Sequence, residues 1–183
     1  MTVLYIIIGV VVVLILYVLV TYNRFVVLKN SVKEAFSTMD VYLKKRWDLI
    51  PNILESVKGY MTHERETLES IVSLRSGSYD NMTPEDKIDA NDQLSKGLSK
   101  LFALAENYPD LKANQNFMDL NNQLSLVEED IANARKYYNA VAKNMNNAIM
   151  VFPSNIIANM FGYKEEKMFE VQEAEREAVK VKF

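Results

Sequence analysis

The chain carries an uninterrupted apolar stretch from Val3 to Val20, VLYIIIGVVVVLILYVLV, with no charged residue. As a helix these residues would extend about 27 Å, close to the roughly 30 Å hydrocarbon core of a bilayer. A cleaved signal peptide would carry basic residues before the apolar run, but the first basic residue is Arg24. A buried core helix would show a polar face, and this stretch has none. The pattern therefore predicts a retained transmembrane anchor over residues 1–22.

The basic residues that flank this anchor lie on its C-terminal side, at Arg24, Lys29 and Lys33. Basic residues next to a membrane span tend to stay in the cytoplasm. The sequence therefore predicts a single-pass membrane protein with its N-terminus outside and its C-terminal domain in the cytoplasm.

Beyond the anchor, apolar residues recur about every 3.6 positions from Phe25 to Met61, which is the period of an α-helix. No glycine or proline interrupts this pattern before Pro51, so we expect one helical rod that continues from the anchor. Pro51 is predicted to kink the helix without ending it, because the apolar stripe keeps its phase. The helix is predicted to resume after Gly59 and to reach about Arg75.

A second helix is predicted to begin after a loop rich in turn-forming residues. Thr83 is a suitable N-cap, Pro84 is favoured at the first helical position, and Asp86 completes a capping box. The dipeptide Tyr108-Pro109 is predicted to end this helix, because proline disfavours a helical residue before it.

The most regular apolar pattern follows and alternates gaps of three and four over about five heptads, as far as Phe152. It predicts a long helix with a coiled-coil-like seam; a stripe that lines a cofactor is the less favoured interpretation. Pro153 is expected to stop this helix, and a short helix capped by Ser154 and terminated by Gly162 should follow. The seam residues are Phe117, Leu120, Leu124, Val127, Ile131, Tyr138, Val141 and Met145.

These elements predict an all-α fold, in which the transmembrane helix continues into an antiparallel up-and-down bundle of three to four long helices. Five glycines and four prolines in 183 residues are too few for the tight turns of an all-β protein. We expect the bundle to cover residues 23–162. Residues 163–183 form a charged tail whose pattern fits either a helix or an extended segment.

Composition removes several classes of function. The net charge of −3 gives no basic excess for nucleic acid, and the absence of cysteine removes disulfides and thiolate metal sites. The single histidine, His63, lacks the spacing of a zinc motif and is interpreted as a partly exposed helix residue. The acidic run Glu128, Glu129 and Asp130 is interpreted as a solvated face. The sequence thus predicts no catalytic residue, no cofactor and no metal site.

Three segments, in consistent order, resemble the LemA family of bacterial proteins. They begin with YNRFVVLKNSVKEAFSTMD at Tyr22, YPDLKANQNFMDLNNQLSL at Tyr108 and FPSNIIANMFGYKEEKMFE at Phe152. The resemblance implies one N-terminal helix in the cell membrane followed by an antiparallel helical bundle. It also implies a relation to a magnetosome-associated branch and no firmly assigned enzymatic activity. This chain departs mildly from the family pattern, with Phe36 where tryptophan is usual.

The resemblance also marks polar positions that match the family pattern. Our hypothesis is that Asp40 and Arg46 bridge to Arg135 and Asn139 on the long third helix, because buried charges need such partners. The alternative is a set of independent surface charges that contribute under about 1 kcal/mol each. The matching positions are Asp40, Arg46, Asp48, Asn52, Arg135 and Asn139.

The function predicted from these features is a non-enzymatic scaffold that is anchored in the membrane, self-assembles as a homo-oligomer and organises or shapes lipid. One alternative is an adaptor that binds another membrane protein, such as a protease or a signalling kinase. An enzyme with dispersed carboxylates is the third and least favoured class. Membrane lipid is an expected partner in the first interpretation, and nucleic acid is not expected in any of them.

Overall fold

The protein is described by a computed structural model that covers residues 1–75 and 77–169. Over those residues the fold is all-α, as predicted, with one short 3-10 helix at Tyr79–Asn81 and no strand. Residues 170–183 of the predicted charged tail lie outside the described residues. The α-helices are α1 (Thr2–Lys58), α2 (Arg65–Leu74), α3 (Pro84–Ala105), α4 (Pro109–Lys112), α5 (Gln115–Met150) and α6 (Ser154–Met160).

The chain divides into two compact units. The anchor unit consists of Met1–Glu34 and the described part of Tyr137–Phe183, and the middle unit consists of Ala35–Lys136. Helices α1 and α5 each contribute residues to both units. The domain boundaries that the sequence predicts, at residues 22 and 162, stay predictions.

Helix α1 is a single element of 57 residues that contains both the apolar stretch and the periodic stripe that follows it. Pro51 lies inside the helix, as predicted. A helix does resume after Gly59 and ends at Leu74, with Arg75 as its C-cap, so the predicted end is confirmed, but this helix is separate from α1 and does not continue it. The chain turns instead, with the Met61 amide donating to the Val57 carbonyl at 2.9 Å, and α2 begins anew at Arg65.

The span at the start of α1 has the properties of a membrane helix. Among the described residues, α1 is the helix long and apolar enough to cross a bilayer, with a mean hydropathy of 3.3 over its most apolar window. None of that window is buried against the rest of the protein. An exposed surface of Ile, Leu and Val over 18 residues is compatible with lipid, not with water.

In the middle unit, α2 packs closely against α3. The contact depends on Gly97, because a Cβ atom at this position would lie 3.1 Å from Cγ1 of Ile71. The start of α3 is the predicted capping box: Thr83 Oγ1 accepts the Asp86 amide at 3.2 Å, and Asp86 Oδ2 accepts the Thr83 amide at 3.4 Å. Two orphan amides at the helix start are thereby satisfied.

In the anchor unit, the turn from α5 to α6 uses Ser154 differently from the prediction. The Ser154 hydroxyl lies 2.7 Å from the Ala148 carbonyl and 2.8 Å from the Val151 carbonyl, so it satisfies the end of α5 and does not cap α6. Gly162 follows α6 with a φ of 73°, which confirms it as the predicted terminator.

Burial along α5 follows the predicted seam for most of its length. The predicted seam residues are buried except Leu120 and Val141, which are half-buried. Ala142, next to Val141, is fully buried. The predicted continuation to Phe152 is wrong, because α5 ends at Met150 and the Phe152 side chain is 75% exposed. The supercoil expected from the heptad pattern stays a prediction.

Candidate functional site

Arg46 forms the most deeply buried charge of the middle unit. Its position next to Trp47 on α1 places it in the apolar stripe, and its side chain is 0% exposed. Nη1 donates to Ser95 Oγ and to Glu128 Oε1, both at 2.8 Å, and Nη2 donates to the Asn91 carbonyl at 2.9 Å. One guanidinium therefore links α1 to both α3 and α5 through charge-assisted hydrogen bonds.

Asp40, six residues earlier on α1, accepts two hydrogen bonds. Tyr79 Oη donates to Oδ1 at 2.6 Å, and Lys87 Nζ donates to Oδ2 at 2.7 Å. Tyr79 belongs to the 3-10 helix and Lys87 to α3, so the carboxylate holds the loop and the helix start against α1. The Lys87 ammonium also lies 4.6 Å from the centroid of the Tyr79 ring, within range of a cation–π contact.

Aromatic and cationic side chains stack next to this carboxylate. The Trp47 and Tyr79 rings lie 5.3 Å apart at their centroids, and the Arg75 guanidinium lies 5.3 Å from the Trp47 centroid. Burial, followed by the hydrogen bond to Asp40, raises the pKa of the Tyr79 phenol far above its ordinary value. The phenol consequently stays neutral, and able to donate its hydrogen bond, into alkaline conditions in which an ordinary tyrosine would ionise.

A third ion pair joins α3 to α5, between Arg135 Nη2 and Asp92 Oδ1 at 3.2 Å. Burial raises the pKa of the Asp92 carboxyl, and this effect outweighs the lowering by the Arg135 charge. The direction of this pKa shift shows that removing the Asp92 carboxylate from water costs more than its contact with Arg135 returns.

In the anchor unit, two asparagines of α5 hold an extended backbone segment. The side chain of Asn139 donates to the Phe169 carbonyl and accepts its amide, both at 2.9 Å. Asn146 does the same for Glu166, at 2.9 Å and 2.7 Å. The two asparagines are seven residues apart on the helix, and their partners are three residues apart in the segment. Seven residues of helix and three of extended chain both advance about 10 Å, so the two spacings match.

Side chains reinforce this asparagine pair, Asn139 and Asn146. The Tyr138 hydroxyl donates to the Lys167 carbonyl at 2.9 Å, and its ring packs edge-on against the Phe169 ring. The Glu166 carboxylate also bonds to the Lys29 ammonium on α1. Residues 166–169 thus bind α5 through their main chain, and the Lys29–Glu166 ion pair joins them to α1.

The partners differ from those that the sequence predicted for the polar positions. Asp40 and Arg46 have the partners given above, so the predicted bridges to Arg135 and Asn139 are wrong. Asp48 is exposed and bonds to Lys44 at 2.8 Å. Asn52 is exposed. The reason is geometric: polar residues at the edge of a stripe meet whichever helix packs there, and sequence spacing does not specify that neighbour.

Sequence reasoning missed Glu128, which it interpreted as part of a solvated face. Its side chain is 40% exposed, yet one carboxylate oxygen reaches Arg46. The available signal was its position directly after the buried residue Val127, at the edge of the seam.

His63 lies exposed in the turn between α1 and α2. Within residues 1–75 and 77–169, no group of three or more His, Cys, Asp or Glu side chains is arranged to hold a metal ion. The same region of the middle unit contains an open groove of 520 Å³, lined by apolar residues such as Leu54, Leu68 and Val72.

A double-mutant cycle tests the Arg46 interaction. We expect Arg46→Met and Glu128→Gln to show a coupling energy of at least about 1 kcal/mol in urea unfolding, because Arg46 is fully desolvated. Solvent at the half-exposed Glu128 limits the coupling. The exposed Lys44–Asp48 pair is the control, with coupling close to zero. Equal coupling in the two pairs would contradict the role of Arg46.

The alkaline stability of the protein tests the Tyr79 phenol. The pKa of the Tyr79 phenol is higher in the folded protein than in the unfolded chain. Its contribution to the free energy of unfolding is therefore complete below the ordinary tyrosine range and is lost as pH rises through and above that range. Tyr79→Phe should lower stability at neutral pH by about 1.5–3 kcal/mol, the range for a hydrogen bond to a charged group, and should flatten the alkaline decline. Urea midpoints measured against pH give both quantities. The control Tyr137→Phe, at an exposed tyrosine, should keep the full alkaline decline.

Hydrogen exchange tests the asparagine pair. Asn139→Ala removes both side-chain bonds to Phe169, so exchange of the Phe169 amide should accelerate by at least about tenfold. Asn147→Ala, at an exposed asparagine of the same helix, is the matched control and should leave the rate unchanged. Identical exchange in the two variants would show that the asparagine pair does not hold this segment.

Comparison with known proteins places the chain in a family. The model of the LemA family matches residues 35–183. Protein LemA of Metamycoplasma hominis is 28% identical over 152 residues, which cover 81% of this chain and 68% of that protein. Magnetosome protein MamQ 2 of Paramagnetospirillum magneticum is 22% identical over 182 residues, with 85% and 67% covered. Magnetosome protein MamQ of Magnetospirillum gryphiswaldense is 22% identical over 177 residues, with 82% and 65% covered. Since the family model spans most of its length, the chain belongs to the LemA family.

Proposed function

We propose that this protein is a non-enzymatic helical scaffold that is anchored in the membrane and self-assembles there, organising or shaping the bilayer. The observation that carries the proposal is how the chain uses the buried charge of Arg46 and the half-buried charge of Asp40. Arg46 and Asp40 are committed to bonds between helices, which makes them structural groups and not reactive ones. A helical unit stabilised in this way would offer the same surface in every copy of the chain, which self-assembly requires.

The anchor supports assembly for a second reason. Its apolar side chains are exposed on all sides of α1, so lipid or the anchors of other copies can pack around it. Helix association in lipid depends on van der Waals packing, which one isolated span cannot obtain. Several linked copies gain membrane affinity by multiplicity, which favours an oligomer over a monomer.

The relatives are consistent with a role at membranes. Two of them are named magnetosome proteins, and we extend only a membrane-organising role to this chain. The basic residues that follow the span support an orientation with the N-terminus outside and the remaining chain in the cytoplasm.

The groove between the end of α1 and α2 favours a second candidate function, that of an adaptor. Its apolar floor includes Leu54 and Val72, and its rim carries charges of both signs, including Lys58 and Glu69. A helix or peptide of another membrane protein would fit such a surface. In this alternative the bundle binds a partner of different sequence.

The test is the mass of the full-length protein in nanodiscs and in mild detergent, measured by mass photometry. We expect particles that contain several copies of the chain in both environments. A single copy per particle in both would overturn the scaffold. A second membrane protein that copurifies in stoichiometric amount from native membranes, with one copy of this chain, would support the adaptor.

A further inference from the structure

The turn from α5 into α6 exposes an unusual concentration of apolar side chains. We call residues 150–161 the apolar tip. The sequence has no charged residue from Asn144 to Tyr163. Contiguous exposed apolar surface in a folded protein marks an interaction site. The large exposed side chains are Met150, Val151, Phe152, Ile156, Met160 and Phe161.

Ring contacts within the anchor unit place the end of this tip beside the end of the membrane span. The Phe161 ring lies 4.7 Å from the Tyr22 ring, and the Tyr163 ring lies 4.8 Å from the Phe25 ring. Tyr22 and Phe25 lie about 3 Å and 7.5 Å along the helix from Val20. The polar headgroup layer on each side of a bilayer is roughly 5–8 Å thick, so these rings lie at its level.

The direction of α5 brings the rest of the tip to the same level. Phe161 contacts Tyr22, Tyr163 contacts Phe25 and Glu166 contacts Lys29. The segment after the tip therefore runs along α1 away from the span. On α5, Glu166 pairs with Asn146, and Phe169 pairs with a residue seven positions earlier. Helix α5 therefore approaches the span as residue numbers rise, and its last turn lies nearest to the bilayer.

The backbone of the tip is prepared for a medium with little water. The single Ser154 hydroxyl proton is shared between the carbonyls of Ala148 and Val151, and the Asn155 amide donates to the Val151 carbonyl at 2.9 Å. Carbonyls at a helix end usually depend on water, and an end that enters lipid needs internal partners instead.

We propose that the apolar tip is a second membrane contact, inserted at the boundary between headgroups and acyl chains of the bilayer that the anchor crosses. Lys143 and Lys164, both exposed, bracket the uncharged stretch, so acidic headgroups complete the site. The proposal rests on the membrane anchor and is independent of self-assembly. Each copy would occupy one leaflet at two points, which fixes the rotation of the anchor unit about the span.

The absence of cysteine from the chain allows a direct test with single spin labels. Full-length protein carrying Phe152→Cys or Ile156→Cys is labelled and placed in nanodiscs of phosphatidylcholine and phosphatidylglycerol. Collision with oxygen, which concentrates in lipid, is compared with collision with a nickel chelate, which stays in water. Val12→Cys reports the span, and Asn30→Cys, at an exposed position of the same unit, reports water.

We expect the ratio of oxygen to nickel collisions at residues 152 and 156 to be severalfold higher than at residue 30 and lower than at residue 12. Water-like ratios at both tip positions, with a lipid-like ratio at residue 12, would overturn the tip contact while leaving the anchor intact. Labels shielded from both reagents would also overturn it, because a second protein would then cover the tip. A water-like ratio at residue 12 would overturn the anchor and the tip contact together.

Discussion

The burial of the Arg46 guanidinium is the constraint around which the middle unit is organised. A fully desolvated charge is tolerated only when its donors find acceptors, since an unpaired one costs several kcal/mol. The hydroxyl of Ser95, the carbonyl of Asn91 and the carboxylate of Glu128 accept from its two terminal nitrogens, whereas the buried Nε has no hydrogen-bond partner among the described residues. Because these acceptors lie on two other helices, a shift of either helix along its axis breaks a bond. The directional bonds of the arginine therefore add a constraint on helix register to that of the apolar packing.

In the anchor unit, backbone groups likewise need hydrogen-bond partners. An extended segment that lies against a helix has no neighbouring strand to accept and donate its main-chain hydrogen bonds. The amides of Asn139 and Asn146 replace that strand, because each offers one donor and one acceptor in a plane. The Phe169 side chain then adds apolar burial against Tyr138.

The proposed function depends on attachment to the membrane as well as on these polar contacts. The exposed span of α1 requires lipid, and the apolar tip lies at the level of the headgroups. The charges of Arg46 and Asp40 are committed to bonds between helices, and on this basis we propose a scaffold.

Periodicity by itself determined the all-α fold, the span from Val3 to Val20 and most of the α5 seam. It did so because burial on a helix repeats every 3.6 residues, whatever the helix packs against. Local chemistry likewise determined the Thr83 capping box and the stop at Gly162. The partners of Arg46 and Asp40, the turn after Lys58 and the role of Ser154 were decided only by the tertiary structure. Each depends on a neighbour distant in sequence, and a hydrogen bond requires an atom within about 3 Å, a precision that spacing along one chain does not carry.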